Sequence, residues 1–295
     1  MFYYSLYNKS VISDIRLFNI PQTTKSISVP DIIIHNGIIC DVFASDNVYL
    51  YMFSDSAYLR FRYGTLQINN GNEIIYSLKN GYNPESITPF IMGWGMAILL
   101  TQNEHSAFHC SALCRNNQGF FISGVSGAGK STTSLELLKH GCSYLADDIG
   151  IVDSYENMMI TPAFPIQKVC PNISSDLNSN NLYSINNDRG KYAYLNEKDY
   201  CNTPKKLTVF FQLLLGETDQ VEIKEITGIE KYLKVLECLF LGVKYSSSSF
   251  PEPERFRCLK IAGNIRLFTI TRPVNKNTLD EITYSILKIL DEQGD

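Results

Sequence analysis

Phe120-Phe121-Ile122-Ser123-Gly124-Val125-Ser126-Gly127-Ala128-Gly129-Lys130-Ser131-Thr132 is the stretch that decides how this chain is read. Phe120 to Ser123 is a short, mostly apolar run and reads as a buried strand. Gly124 to Ser131 spells G-x-x-x-x-G-K-S, the phosphate-binding loop pattern. From Thr132 to His140 the leucines at 135, 137 and 138 read as a helix. Strand, glycine loop and helix are the context this motif requires. The glycines let the backbone approach a ligand closely. The loop amides and the helix N-terminus then favour phosphate. The candidate nucleotide-contacting residues are Gly124, Val125, Ser126, Gly127, Ala128, Gly129, Lys130, Ser131 and Thr132. Lys130 supplies a point charge for the terminal phosphates, and Ser131 a hydroxyl for magnesium.

The next signal lies one helix further on. Gly141 ends the helix at a position suited to glycine. Cys142 to Ala146 reads as a short strand, followed at once by Asp147-Asp148. Paired carboxylates at the end of an apolar strand suit magnesium binding and proton transfer. A polar turn between two strands would carry the same residues.

Together these residues resemble the kinase domain of the HPr serine kinase superfamily, which is related in fold to ATP-dependent phosphoenolpyruvate carboxykinase. The matching residues are Phe108-His109-Cys110-Ser111-Ala112-Leu113, Gly119 to Ser131, and Leu145-Ala146-Asp147-Asp148. Gly71 to Ile75, Phe90 to Ala97, Pro162 to Val169 and Ile265 to Pro273 look like the HPr-kinase-like proteins of gene clusters for ribosomal peptides, including the lasso-peptide tailoring kinases. The chain lacks the glutamate-containing E-I-R-G segment and the basic C-terminal signature of authentic HPr kinase/phosphorylases. The resemblance therefore points to the looser group that acts on peptides or small molecules. It implies Asp147 as the base that accepts the acceptor's proton, with His109 set against Asp147 to tune it. Ser131 and Asp148 are the expected magnesium ligands, and Lys130 the cation on the transferring group.

Composition bounds the rest. In a chain of 295 residues, 44% hydrophobic and 19% charged content fits a globular protein of one large or two modest domains. A net charge of −4 offers no broad basic surface for nucleic acid. Eight scattered cysteines without a CxxC pair fit a reduced, cytoplasmic protein. Met1 to Tyr7 carries no signal-peptide pattern, and the longest apolar stretch, Ile91 to Leu100, is too short to span a bilayer.

In chain order, residues 1–85 read as a β-rich domain with strands near 31–34, 49–53, 58–63, 65–68 and 73–76, and a hairpin signal at Asn69-Asn70-Gly71-Asn72. Its tyrosines suit strand packing or a peptide-binding surface. Ser86 to Gln102 reads as a buried helix containing Trp94. Phe108 to Leu113 and the phosphate-loop strand form a hairpin across Asn116 to Gly119. Asn172 to Gly190 reads as a long polar loop, a lid or substrate-contacting segment or else a disordered insertion, closed by Arg189 and Lys191 within reach of phosphate. Thr227 with Glu230 predicts a capping box for a helix reaching Leu241. Ser246 to Ser249 reads as a flexible tract. Arg255, Arg257 and Arg272 are phosphate contacts, substrate contacts or surface charges.

The fold expected is α/β: a phosphate-loop kinase domain of the HPr kinase/phosphoenolpyruvate carboxykinase-like type over 86–295, preceded by the β-rich domain over 1–85. The expected activity moves the γ-phosphoryl group of ATP, with Mg2+, to a serine hydroxyl of a lasso-type precursor peptide or a protein. An HPr-type protein kinase, a kinase of free serine or a sugar, and a nucleotide-binding regulator without catalysis stay open, as does a homo-oligomer.

Overall fold

The computed structural model describes residues 1–18, 20–23, 29–40, 42, 49–152, 157–171, 177–185, 190–242 and 252–292. Arg189 and the tract 246–249 lie outside the described residues, as do parts of the polar loop 172–190. The chain divides into two units, Met1–His105 with Cys170–Leu195, and Ser106–Val169 with Asn196–Asp295.

In the first unit, β1 (Phe2–Leu6), β2 (Lys9–Ser13), β3 (Ile32–Asn36), β4 (Leu50–Met52), β5 (Ser56–Phe61), β6 (Gly64–Asn69) and β7 (Glu73–Leu78) form a sheet in the order β1-β2-β3-β7-β6-β5-β4. β3 runs parallel to both its neighbours, and the other pairs are antiparallel. Asn70 and Gly71 both take left-handed backbone angles, as the tight β6–β7 turn requires. A hairpin of β15 (Leu182–Ser184) and β16 (Tyr192–Leu195) belongs to the same unit, so the polar loop contains a strand.

The expected division after residue 85 is not where the units part. Residues 84–102 are helical, with a π-turn at Ile91–Gly95. Ile87, Ile91, Met96 and Leu99 are fully buried there, while Trp94 is half-buried. This run is fastened to the β-rich sheet. Phe90 stacks on Phe61 with ring centroids 4.1 Å apart. Gln102 Oε1 accepts from the Gly71 amide at 3.0 Å, and Asn103 Nδ2 donates to the Gly71 carbonyl at 2.6 Å. A strand-rich sheet needs an apolar cover, and the helix that provides it goes with the sheet.

The second unit holds β8 (Ser106–Phe108), β9 (Cys110–Arg115), β10 (Gln118–Gly124), β11 (Ser143–Ala146), β12 (Gly150–Val152), β13 (Met159–Thr161), β17 (Lys205–Gly216), β18 (Glu222–Ile226) and β19 (Arg266–Pro273) in one sheet. The order is β11-β9-β10-β17-β13-β12-β8, with β19 on β17 and β18 on β19. β14 (Ile166–Val169) lies outside that sheet. β8 and β9 are halves of one run broken at His109, so the ring β9-β10-β17-β13-β12-β8 closes through that residue. β9 turns into β10 across Asn116 and Asn117, both left-handed.

Direction matters more than order here. β10 and β11 are each antiparallel to β9, so they run the same way. β17 is parallel to β10, and β19 to β17. The carboxyl ends of β10, β11, β17 and β19 therefore share one edge of the sheet, together with the start of β9. That edge is where open α/β sheets bind ligands.

Both faces of the central strands are covered. Phe120, Ile122, Val209, Phe211, Leu213 and Ile270 pack with Leu137 of the helix Lys130–Lys139 and with Ile282, Ile286 and Leu290 of the closing helix Leu279–Asp291. On the other face Phe121, Phe210 and Phe108 meet edge to face or tilted at 5.4–5.6 Å between centroids. Each such buried side chain contributes about 1.5–3 kcal/mol. An exposed ion pair such as Arg266–Glu225 contributes about 0–1 kcal/mol. Apolar burial thus holds the sheet.

Thr227 does cap the helix Gly228–Glu237, but its side chain makes no capping hydrogen bond. Glu230 instead lies 3.5 Å from Lys224, so the expected capping box is not formed, and the helix stops short of Leu241. Arg257 is buried in an ion pair with Glu254, while Arg255 is exposed on the same helix, Glu252–Asn264.

The rim of the first unit carries a pH-dependent contact. His35 Nδ1 donates to the Asn36 carbonyl at 2.9 Å and Nε2 to Glu73 Oε1 at 3.2 Å. Only the imidazolium supplies two donors. Burial works against that charge, but the Asn36 carbonyl and Glu73 outweigh it and raise the His35 pKa above its ordinary value. The folded value lies above the unfolded one, so this stabilisation is fully present below about pH 6.5 and is lost as pH rises through the folded pKa. Urea unfolding of wild type and His35→Gln should show the larger stability gap at about pH 5.5 and a smaller one at about pH 8.5. Equal gaps at both pH values would remove the charged pair from the account.

Candidate functional site

The residues of the glycine motif form the connection that the sequence implies. β10 ends at Gly124, the chain loops through Val125 to Gly129, and the helix starts at Lys130. Gly124 has φ +148°, and a Cβ there would lie 2.5 Å from the Leu213 carbonyl oxygen on β17, so only glycine fits. Gly129 caps the helix in the left-handed region at φ +106°. Ala128 is fully buried in the core and anchors the loop, while Val125 to Gly127 form its exposed crest.

The loop's polar groups are arranged for an anion. No side chain caps the helix, and its first backbone bond runs from the Thr133 amide to the Gly129 carbonyl. The amides of Lys130, Ser131 and Thr132 thus have no partner within the helix. Lys130 Nζ folds back to the Gly124 carbonyl at 2.5 Å and the Val125 carbonyl at 3.5 Å. From the end of β19, Arg272 donates to the Ala128 carbonyl at 3.0 Å and the Gly127 carbonyl at 3.2 Å. In a trans peptide the N–H points opposite the C=O, so the Gly129 amide faces away from Arg272. Arg272 braces the loop through these two carbonyls and is not the bare surface charge that the sequence allowed.

The paired aspartates stand at the end of β11 on the same edge. Asp147 is held by two neutral donors: Ser111 Oγ to Oδ1 at 2.8 Å and the Lys168 backbone amide to Oδ2 at 2.7 Å. Asp148 takes a left-handed φ of +74° and meets a cation, with Lys168 Nζ 2.5 Å from Oδ2. His109 corrects an expectation. It does not sit on Asp147. Its Nδ1 donates to the Asp148 carbonyl at 3.2 Å and lies 3.6 Å from Asp148 Oδ1. The reason is the left-handed turn at Asp148, which swings that residue toward the break between β8 and β9. Burial lowers the His109 pKa, with Asp148 opposing and Lys130 assisting. Ser123 Oγ, one residue before the loop, donates to the His109 carbonyl at 2.9 Å, which ties His109 to the end of β10 as well as to Asp148.

Lys168 and Ser111 are the residues that sequence reasoning missed as site members. Both lie in stretches quoted for the family resemblance, but nothing in their spacing marks them. Lys168 reaches the aspartates only because the β12–β13 hairpin returns the chain to β14, which Asn196 secures by its amide to the Pro165 carbonyl at 3.0 Å and its Nδ2 to Gln167 Oε1 at 3.0 Å.

The donor set fits a magnesium nucleotide. Helix N-terminal amides and a lysine suit phosphate, and the Ser131 hydroxyl and Asp148 are hard oxygen donors. Among the described residues no three His, Cys, Asp or Glu side chains cluster as a metal cage. Magnesium bound largely through phosphate oxygens does not need one.

Arg272→Met should leave the sheet intact yet speed amide hydrogen exchange at Ala128 and Thr133, whose amides bond the Val125 and Gly129 carbonyls, about tenfold or more, the scale of losing a charged hydrogen bond. Unchanged exchange would show that the loop keeps its shape without the guanidinium.

No protein-family model matches the chain, and no curated protein matches it. None of the described helices is long and apolar enough to cross a membrane. Among solved structures, the HPr(Ser) kinase/phosphatase of Coxiella burnetii is similar over 63% of this chain and 95% of that one, at 13% identity and a TM-score of 0.32. A likeness of that size says nothing about activity; what stands is a mixed α/β chain with several sheets.

Proposed function

We propose that this protein is a phosphotransferase that moves the γ-phosphoryl group of ATP to a serine hydroxyl, the acceptor being a ribosomally made precursor peptide of the lasso type. The carrying observation is the convergence of the Lys130 loop and the Asp147–Asp148 pair on one sheet edge, with His109 bonded to Ser123 before the loop and to Asp148. The acceptor class comes from the sequence resemblance alone. The free cysteines fit a reducing, cytoplasmic setting.

Phosphoryl transfer needs positioning and charge neutralisation more than covalent help from the protein. The loop amides and Lys130 hold the phosphates. Ser131 and Asp148 would hold magnesium, which when bound would supply charge to neutralise the phosphates. The two aspartates differ in what already touches them. Asp148 carries a cation, so it is the carboxylate suited to a metal. Asp147 is oriented by a hydroxyl and an amide, which fix it without cancelling its charge. It takes the proton of the acceptor hydroxyl as that oxygen bonds to the γ-phosphorus and the bond to the departing ADP oxygen breaks. His109 orients Asp148 and not the base.

Lys130→Ala should abolish transfer and weaken nucleotide binding; full activity with tight ATP binding would sink the phosphate-loop assignment. Asp147→Asn should keep magnesium-nucleotide affinity and lower turnover by on the order of 10² or more. Asp148→Asn should raise the magnesium requirement. Magnesium titrations of rate, with nucleotide affinity measured separately, decide between the two roles. The same magnesium dependence in both variants would refute the division of labour.

A further inference from the structure

Lys168 touches both aspartates through different atoms. Its backbone amide donates to Asp147, and its ammonium pairs with Asp148. The side chains of Lys168 and Asp148 are 22% and 26% exposed, so this pair is shielded more than a surface contact. The backbone at Lys168 is fixed on β14 by the Asn196 contacts, which leaves a flexible four-carbon stem to move the charge. Asp148 takes a left-handed φ of +74°, and its carboxylate lies between Lys168 and His109. On the other side, His109 Nδ1 lies 3.2 Å from the Asp148 carbonyl and 3.6 Å from Oδ1. The carboxylate assigned to the metal is therefore matched by an ammonium. A divalent ion and that ammonium cannot share one carboxylate without strong mutual repulsion.

We propose that Lys168 is a built-in counter-cation: its ammonium occupies the metal carboxylate Asp148 and must leave before a divalent cation binds there. Metal entry is thereby coupled to release of one positive charge at the carboxyl ends of β10 and β11. The inference rests on the reading of Asp148 as a metal ligand. In this role Lys168 is a positioning residue. It keeps Asp148 aimed while no metal is bound, and it sets how much magnesium the site demands.

Calorimetry with Mg2+ and ADP, together with Mn2+ binding followed by electron paramagnetic resonance, tests this on the full chain without relying on turnover. Lys168→Met removes the charge but keeps the amide that holds Asp147. It should tighten divalent-ion binding in the presence of ADP by about tenfold or more, as expected when a competing cation is removed. Lys168→Arg should stay within a few-fold of wild type. Placing Lys168→Met on Asp148→Asn should erase the gain, because the contested carboxylate is gone. Lys168→Gln, measured alongside, decides the matter if the methionine variant does not fold. Unchanged or weaker metal binding in the folded neutral variants overturns the counter-cation role. A wild-type protein that binds ADP neither with nor without Mg2+ overturns the phosphotransferase reading as well, so the two failures are distinguishable.

Discussion

The pairing of β10 between an antiparallel β9 and a parallel β17 is the constraint on which the rest of the second unit depends. It buries the strand on both faces, which is why Phe120, Phe121 and Ile122 are all apolar rather than alternating. It also brings Gly124 against the Leu213 carbonyl, closer than any side chain would allow. The loop must therefore leave the sheet at that point and in that direction. Everything placed around it, from the aspartates on β11 to Arg272 on β19, reaches it because these strands run the same way.

Charge at this edge is sorted by partner. Lys130 and Arg272 both spend their donors on loop carbonyls, one inside the turn and one behind it. Two adjacent carboxylates with no separation in sequence end up in different surroundings. Asp147 is wrapped by neutral donors and Asp148 by a cation and an imidazole. A single left-handed residue produces that difference, since it turns consecutive side chains to different neighbours. Pairs of titratable groups with contrasting environments are how one site supports two roles.

The first unit follows a simpler rule. Its sheet has an apolar face that needs covering, and the helical run 84–102 covers it. Gly95 lets that run lie close, since a Cβ there would meet Ile74 Cδ1 at 3.3 Å and Leu66 Cδ1 at 3.5 Å. The covering helix thus belongs with the strands before it, even though Asn83-Pro84 reads in sequence as a boundary.

Local chemistry was legible in the sequence wherever a residue type answers a local demand. The glycine loop, the paired aspartates, the left-handed turns at Asn70-Gly71 and Asn116-Asn117, and the strand and helix order of the second unit follow from backbone freedom and apolar patterning. Thr227 was readable as a cap position, but whether its side chain would bond was not, because Glu230 had an alternative partner in Lys224 from another strand. Only the tertiary structure placed His109 on Asp148 instead of Asp147, brought Lys168 and Ser111 into the site, and turned Arg272 into a brace. Those contacts join residues separated by hairpins and crossovers. Their geometry depends on strand direction and on one left-handed angle, which no local pattern of residue types encodes.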